Sequence, residues 1–239
     1  MVTEAIVLAG GLGTRLRSAV NDLPKPMAPI AGQPFLAYLL RYLERSGIRR
    51  LVLAVGYRHE AIQDFFGSAY GKLQLDYSVE EELLGTGGGL RQALQYVQDT
   101  YAFVVNGDTF LRLDYAAMAA MLDRNNGPEL VVALRCVGDA SRYGRALVSD
   151  GSIQGFTAGG TTGPGLINAG CYLVHRTIFD RHPMPLKFSF ERDFLEARVA
   201  SVRPVAFPCD APFIDIGIPE AFQEAQTLIP AWVKDSCPR

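Results

Sequence analysis

An α/β fold is predicted: a Rossmann-like, mixed and mainly parallel sheet in one domain, with helices on both faces. Two observations predict it. Over the first 137 residues, apolar runs of strand length alternate with amphipathic segments of helix length, the pattern of a mainly parallel sheet covered on both faces. At 239 residues, 49% of them hydrophobic, the chain can also bury one large core.

The first strand is the apolar run Ala5 to Ala9, followed by a glycine-rich loop. A helix is expected from Pro34 to Ser46, because Phe35, Leu36, Leu39, Leu40 and Leu43 fall on one face and Gly47 stands where a C-terminal cap belongs. Strand Leu51 to Val55 leads to a helix at His59 to Phe66, and strand Leu73 to Val79 to one at Gly89 to Gln98. Tyr101 to Val105 is the fourth strand, followed by a helix near Tyr115 to Arg124 and a fifth strand, Leu130 to Leu134. After Gly138 the pattern loosens into a hairpin (Ala146 to Val148, Ile153 to Phe156) and a glycine-rich loop, Thr157 to Gly165. Strand Leu166 to Val174, a helix near Glu191 to Val199, strand Val202 to Phe207 and a helix from Pro219 to Leu228 complete the sheet and its cover. Residues 1–230 thus form the domain, with its halves meeting near 137 and 138, and 231–239 are expected to be a loosely held tail.

Charge is nearly balanced, 23 basic against 25 acidic residues for a formal net charge of −2. No whole-molecule field attracts nucleic acid or an anionic membrane, so any anion site must be local. Cys136, Cys171, Cys209 and Cys237 are far apart, with neither redox nor zinc spacing, which fits reduced core thiols in a cytoplasmic protein. No run approaches the roughly 18 apolar residues of a membrane span, and the glycine-interrupted N-terminus is no signal peptide.

The strongest local signal is LAGGLGTRL, Leu8 to Leu16, with PKPM at Pro24 to Met27. Following Leu8 and Ala9, Gly10, Gly11 and Gly13 remove side chains that would hold a phosphate away from backbone N–H groups. Thr14 adds a hydroxyl, Arg15 a planar cationic fork and Lys25 a compact charge between two prolines. The loop is neither a dinucleotide fingerprint, since Leu16 stands where that requires glycine, nor a Walker loop. A plain β–α turn with incidental charges accounts for the glycines alone, but poorly for the full set.

Asn106, Gly107 and Asp108 stand at the C-terminal end of the fourth strand, where open α/β sheets place their ligand crevice. A carboxylate there suits magnesium, although an Asn-Gly-Asp turn also occurs without function. Asp215, between Ile214 and Ile216, is a second acid among apolar neighbours and could share the metal, or else cap the helix at Pro219. The turn Leu84 to Leu90, containing Gly85, Thr86 and Gly87, could admit a base or ribose. Asn168 in LINAG could bond sugar hydroxyls, while Glu191 and Asp193 could equally be first-turn acids of a helix capped by Ser189.

Together these residues resemble the sugar-1-phosphate nucleotidyltransferase family. Its marks are a glycine-rich loop ending in T-R, then P-K-P, L-G-T-x-G, a G-D aspartate, N-A-G and a late D-I-G, here in order from Val2 to about Ile229. LRS, PKPMAPI, NGDTF, RYG at Arg142 to Gly144 and FIDIGIPE are most similar to the members that act as guanylyltransferases on D-glycero-α-D-manno-heptose 1-phosphate. The resemblance implies a Mg²⁺-dependent enzyme that joins a nucleoside triphosphate, GTP favoured, to a sugar 1-phosphate for surface polysaccharide synthesis. It implies that Gly10 to Arg15 bind the triphosphate and that Lys25 contacts phosphate near the reacting centre. Thr86 with Gly87 would lie by the nucleotide, Gly144, Asn168, Gly170 and Glu191 on the sugar side, and Asp108 and Asp215 on the metal. Where relatives carry Glu-Lys after a short strand, this chain reads FTAGG from Phe156. Lys187 is the candidate to replace that lysine, since the only others are Lys25, Lys72 and Lys234.

The chemistry so implied is in-line attack by a phosphate oxygen of the sugar phosphate on the α-phosphorus. A phosphate monoester has a second pKa of about 6 and needs no protein base at neutral pH, which fits three histidines, His59, His175 and His182, with no nucleophile arranged around them. Mannose or glucose 1-phosphate with GTP, UTP or dTTP, or a silent nucleotide-sugar sensor, are the alternatives. A homodimer is expected only because dimers are common among soluble enzymes.

Overall fold

In the computed structural model, which describes residues 2–11, 23–124, 127–160 and 162–234, ten strands build one sheet. In chain order the strands are β1 (Glu4–Leu8), β2 (Pro29–Ile30), β3 (Gln33–Pro34), β4 (Arg50–Val55), β5 (Ala69–Tyr70), β6 (Leu73–Val79) and β7 (Tyr101–Asn106). There follow β8 (Thr109–Leu111), β9 (Leu130–Val137), β10 (Ala146–Ser149), β11 (Ser152–Phe156), β12 (Gly165–His175), β13 (Val205–Cys209) and β14 (Phe213–Asp215). The sheet order is β10-β11-β13-β9-β12-β7-β1-β4-β6-β5. Strands β7, β1, β4 and β6 are mutually parallel, as are β9 and β13, and β12 runs antiparallel between β7 and β9.

Helices α1 (Phe35–Arg45) and α2 (His59–Phe66) carry the chain from β1 outward to β4 and β6. Both pack on one face, where Val7, Leu53 and Val105 point. Helix α3 (Gly85–Leu94) returns the chain to β7 across the other face, against Ile6, Ala54 and Val104. Consecutive residues of a strand point to opposite faces, so strands buried on both must be apolar throughout. The order in which the chain adds strands reverses between β1 and β7, and a crevice opens at the C-terminal ends of these parallel strands.

The remaining helices are α4 (Tyr115–Ala119), α5 (Met121–Arg124), α6 (Ile178–Arg181), a π-helix at Phe190–Glu196, α7 (Val199–Val202) and α8 (Pro219–Lys234). Several boundaries differ from expectation: Val202 ends α7 instead of opening a strand, with β13 starting at Val205, and the helix expected near Glu191 to Val199 is divided between the π-helix and α7. Helix α3 starts at Gly85 rather than Gly89, because the Phe188 carbonyl takes the N–H groups of Gly87 and Gly88 that a glycine-rich first turn would leave unpaired. The segment from Tyr115 to Arg124 is two short helices instead of one. Helix α8 runs on to Lys234 through Pro230, with Val233 buried and Trp232 packed on the core, so residues 231–234 belong to the helix rather than to a loose tail. Residues 235–239 lie outside the described residues.

Candidate active site

The crevice is built from backbone outward. Leu8 stands opposite Asn106 in the β1–β7 ladder, and the Gly107 N–H extends the pairing to the Leu8 carbonyl at 2.9 Å. A Cβ on Gly107 would meet that carbonyl at 2.7 Å, so glycine is required for the turn to close on β1. A cavity of about 510 Å³ lies above, walled by Leu8, Ala9, Gly10, Gly11, Lys25, Gly85, Thr86, Asn106, Gly107, Asp108 and Lys187, and also by Glu80, Gly89 and Leu83. Gly13, Thr14 and Arg15 lie outside the described residues.

On the cavity wall the Lys25 ammonium faces two carboxylates. Lys25 opens a short 3₁₀ turn, Lys25–Met27, anchored by buried Pro26 and Met27. Its Nζ donates to Asp108 Oδ2 at 2.5 Å and stands 3.8 Å from Asp215 Oδ1, with the lysine side chain 12% exposed. The acids are 107 positions apart in sequence but meet because β14 pairs antiparallel with β8, Asp215 opposite Thr109, and the Ile216 N–H bonds the Asp108 carbonyl at 3.0 Å. Asp215 accepts from the Gly217 N–H at 2.8 Å rather than capping α8. Two half-buried carboxylates converging on one cation supply hard oxygen donors of the kind Mg²⁺ takes beside substrate phosphates. No group of three or more His, Cys, Asp or Glu with metal-site spacing occurs among the described residues.

The wall also carries Glu80, which follows β6. Burial raises its pKa, and the Leu84 N–H, donating to Oε2 at 3.0 Å, partly offsets this. A Cβ on Gly10 or Gly89 would approach Glu80 Oε1 to 2.5 or 2.6 Å, so both glycines make room for this carboxylate. Sequence reasoning missed Glu80, although it lies just past the C-terminal end of a predicted strand, as Asp108 does.

Of the expected sugar-side residues Lys187 alone lines the cavity; Gly144, Asn168, Gly170 and Glu191 do not. Gly170 (φ +66°) packs on the Asn106 amide. Asn168 accepts from the Gly170 N–H at 3.0 Å and donates to the buried Tyr172 hydroxyl at 2.9 Å. Thr86 donates to Glu191 Oε2 at 2.6 Å. The Glu191 segment is capped by Ser189, whose Oγ accepts from the Arg192 N–H, so the cap and the link to Thr86 coexist. Gly144 packs against the Thr157 carbonyl in the hairpin, and Gly87 is buried under the Phe188 ring; neither lines the cavity.

A family model for nucleotidyl transferases matches residues 4–231. The chain belongs to the nucleotidyl transferase family. This nucleotidyl transferase is 41% identical over 225 residues to the D-glycero-α-D-manno-heptose 1-phosphate guanylyltransferase of Aneurinibacillus thermoaerophilus, covering 93% of this chain and 96% of the relative. It is 39% identical over 220 residues to the enzyme of that name from Campylobacter jejuni, covering 92% and 96%. The crystal structure of HddC from Yersinia pseudotuberculosis complexed with GMP-PN aligns with a TM-score of 0.82 at 37% identity, covering 94% of this chain and 98% of that one. No helix among the described residues is long and apolar enough to cross a membrane.

Proposed function

We propose that this nucleotidyl transferase moves GMP from GTP onto D-glycero-α-D-manno-heptose 1-phosphate, releasing pyrophosphate and forming a GDP-heptose for surface polysaccharide in the cytoplasm. Support for the sugar is the likeness to heptose 1-phosphate guanylyltransferases along almost the whole of both chains. Support for the base is Glu80. Its carboxylate accepts hydrogen bonds only, and guanine presents N1–H and N2–H side by side, whereas uracil and thymine offer one N–H flanked by carbonyls.

The backbone of Leu8 to Gly11 would receive the triphosphate, with Thr14 and Arg15 completing that loop. Asp108 and Asp215 would hold Mg²⁺, which when bound neutralises developing charge on the phosphates. Lys25, already paired with both acids, carries its charge to the reacting phosphates. The sugar phosphate, dianionic above a pKa of about 6, attacks in line without a protein base. Lys187, exposed on the cavity wall, would take the sugar's phosphate in place of the lysine missing after Phe156. Convergence of Lys25, Asp108 and Asp215 favours a working enzyme over a silent sensor, which would have no use for them.

Pyrophosphate release with Mg²⁺ and GTP, comparing the heptose phosphate with mannose 1-phosphate, tests the reading. Preference for the heptose is expected; preference for mannose would replace the sugar, and silence with every nucleotide and sugar phosphate would overturn the enzyme reading. Sizing by light scattering tests the expected homodimer.

A further inference from the structure

Tyr172 is fully buried, yet its phenol sits beside two side chains of the sugar side. A buried hydroxyl without partners costs about 1–3 kcal/mol, so its bonds matter to where its neighbours stand. Here the hydroxyl accepts from Asn168 Nδ2 at 2.9 Å and faces the Glu191 carboxylate. Burial, then the Glu191 charge, push the phenol's pKa well above its usual range, and the Asn168 bond pulls against them.

The contact with Asn168 is not one a regular strand could make. Residues four apart in a strand are separated by about 13 Å. In β12 the pairing with β9 slips between Asn168 and Tyr172: Asn168 stands opposite Leu134 and Tyr172 opposite Val132, so five residues of β12 face three of β9. Gly170, at φ +66° against the Asn106 amide, forms the bulge that absorbs the surplus and folds Asn168 back over the phenol. On its other side the Tyr172 ring meets Phe190 edge-on, with centroids 4.9 Å apart. Glu191, next in the chain, accepts from Thr86 Oγ1 at 2.6 Å, and that oxygen accepts from the Phe190 N–H at 2.9 Å. Hydrogen bonds join Asn168 to Tyr172 and Glu191 to Thr86 on the cavity wall, and the Tyr172 ring on Phe190 brings the two pairs together.

We propose that Tyr172 is a positioning residue for the transfer reaction, its phenol bonding Asn168 and facing Glu191, and its ring holding Phe190, in one packed polar frame that presents Asn168 and Glu191 to the sugar phosphate and ties them to the nucleotide side at Thr86. It rests on the reading that Asn168 and Glu191 contact the sugar. Tyr172 itself reaches neither substrate.

Tyr172→Phe removes one oxygen and keeps the ring packed. Steady-state kinetics on Y172F, E191Q and the double variant, varying heptose 1-phosphate and GTP separately, read the frame. In Y172F the KM for the sugar phosphate is expected to rise by up to about tenfold, as loss of the one hydrogen bond to Asn168 implies at about 1.4 kcal/mol per decade, with the KM for GTP within about twofold of wild type. The double variant should be little worse than E191Q, because the two act as a unit. An unchanged sugar KM in Y172F while E191Q raises it, or penalties that multiply, would overturn the inference. An unchanged sugar KM in both N168A and E191Q would instead remove the reading beneath it. If Y172F does not fold, ligand-free unfolding of N168A, E191Q and their combination reads the same link: coupled penalties support the frame, additive ones refute it.

Discussion

Replacing Glu80 by Gln tests how the base is chosen. Gln can still accept the Leu84 N–H through its carbonyl oxygen, the bond that Glu80 Oε2 now takes at 3.0 Å. Its NH₂ would then face the Gly10 and Gly89 side, where Glu80 Oε1 stands, and would oppose guanine's N–H donors. A hydrogen bond to a charged group is worth about 1.5–3 kcal/mol, so kcat/KM for GTP should fall about 10- to 150-fold at 1.4 kcal/mol per decade. The rates with UTP and dTTP should change far less, narrowing the preference for GTP. Burial raises the Glu80 pKa, which also fixes a pH dependence. Because the folded state holds the proton more tightly, its contribution to stability is complete below the unfolded pKa of about 4.3 and is lost as pH rises through the raised folded value. Ligand-free E80Q avoids that loss and should therefore match or exceed wild type in melting temperature at pH 7, the advantage shrinking in acid. Wild-type kcat/KM for GTP should fall in acid more steeply than that of E80Q, because neutralisation of the carboxylate adds to the limb that the sugar phosphate's own pKa of about 6 gives both. Pyrophosphate-release kinetics with three nucleotides from pH 4.5 to 8 measure all of this; a GTP efficiency within about twofold of wild type, with unchanged nucleotide preference, refutes the argument.

Asp108→Asn should lower turnover by about two to three orders of magnitude, the scale for removing one electrostatic stabiliser, with an unaltered circular-dichroism spectrum; activity within a few fold of wild type would take Asp108 out of the metal site. Lys187→Ala should raise the KM for sugar phosphate and leave that for GTP nearly unchanged, and an unchanged sugar KM would rule Lys187 out as the phosphate ligand. Gly87→Ala should destabilise the fold, because the new Cβ would sit 2.2 Å from the Phe188 ring, itself wedged edge-on against Phe179 at 5.3 Å. Overpacking of this kind costs about 1–3 kcal/mol, and at about 2–4 °C per kcal/mol for a chain of this size a thermal melt should show a drop of about 2–12 °C.

Much of this molecule is legible in its sequence for local reasons. Strands buried on both faces must be apolar throughout, so Ala5 to Ala9 and Tyr101 to Val105 announce themselves. Gly47, at φ +97°, ends α1 where the periodicity stops. Chemistry is legible where it sits at a strand's C-terminal end, as with Gly10, Gly11 and Asp108. What sequence cannot supply is which distant segments meet. Asp108 and Asp215 share Lys25 only because β8 and β14 pair. The glycines of α3 read as room for a ligand, but at Gly87 and Gly88 the space belongs to Phe188 and Leu186, more than 95 residues later. Tyr172 reads as core, and only the two-residue surplus in β12 turns its hydroxyl toward Asn168 and Glu191. The sequence by itself determined the elements, their order and the charged groups on offer, because those follow from neighbours along the chain; tertiary structure decided which groups face one another, because strand register and bulges depend on partners that no local pattern names.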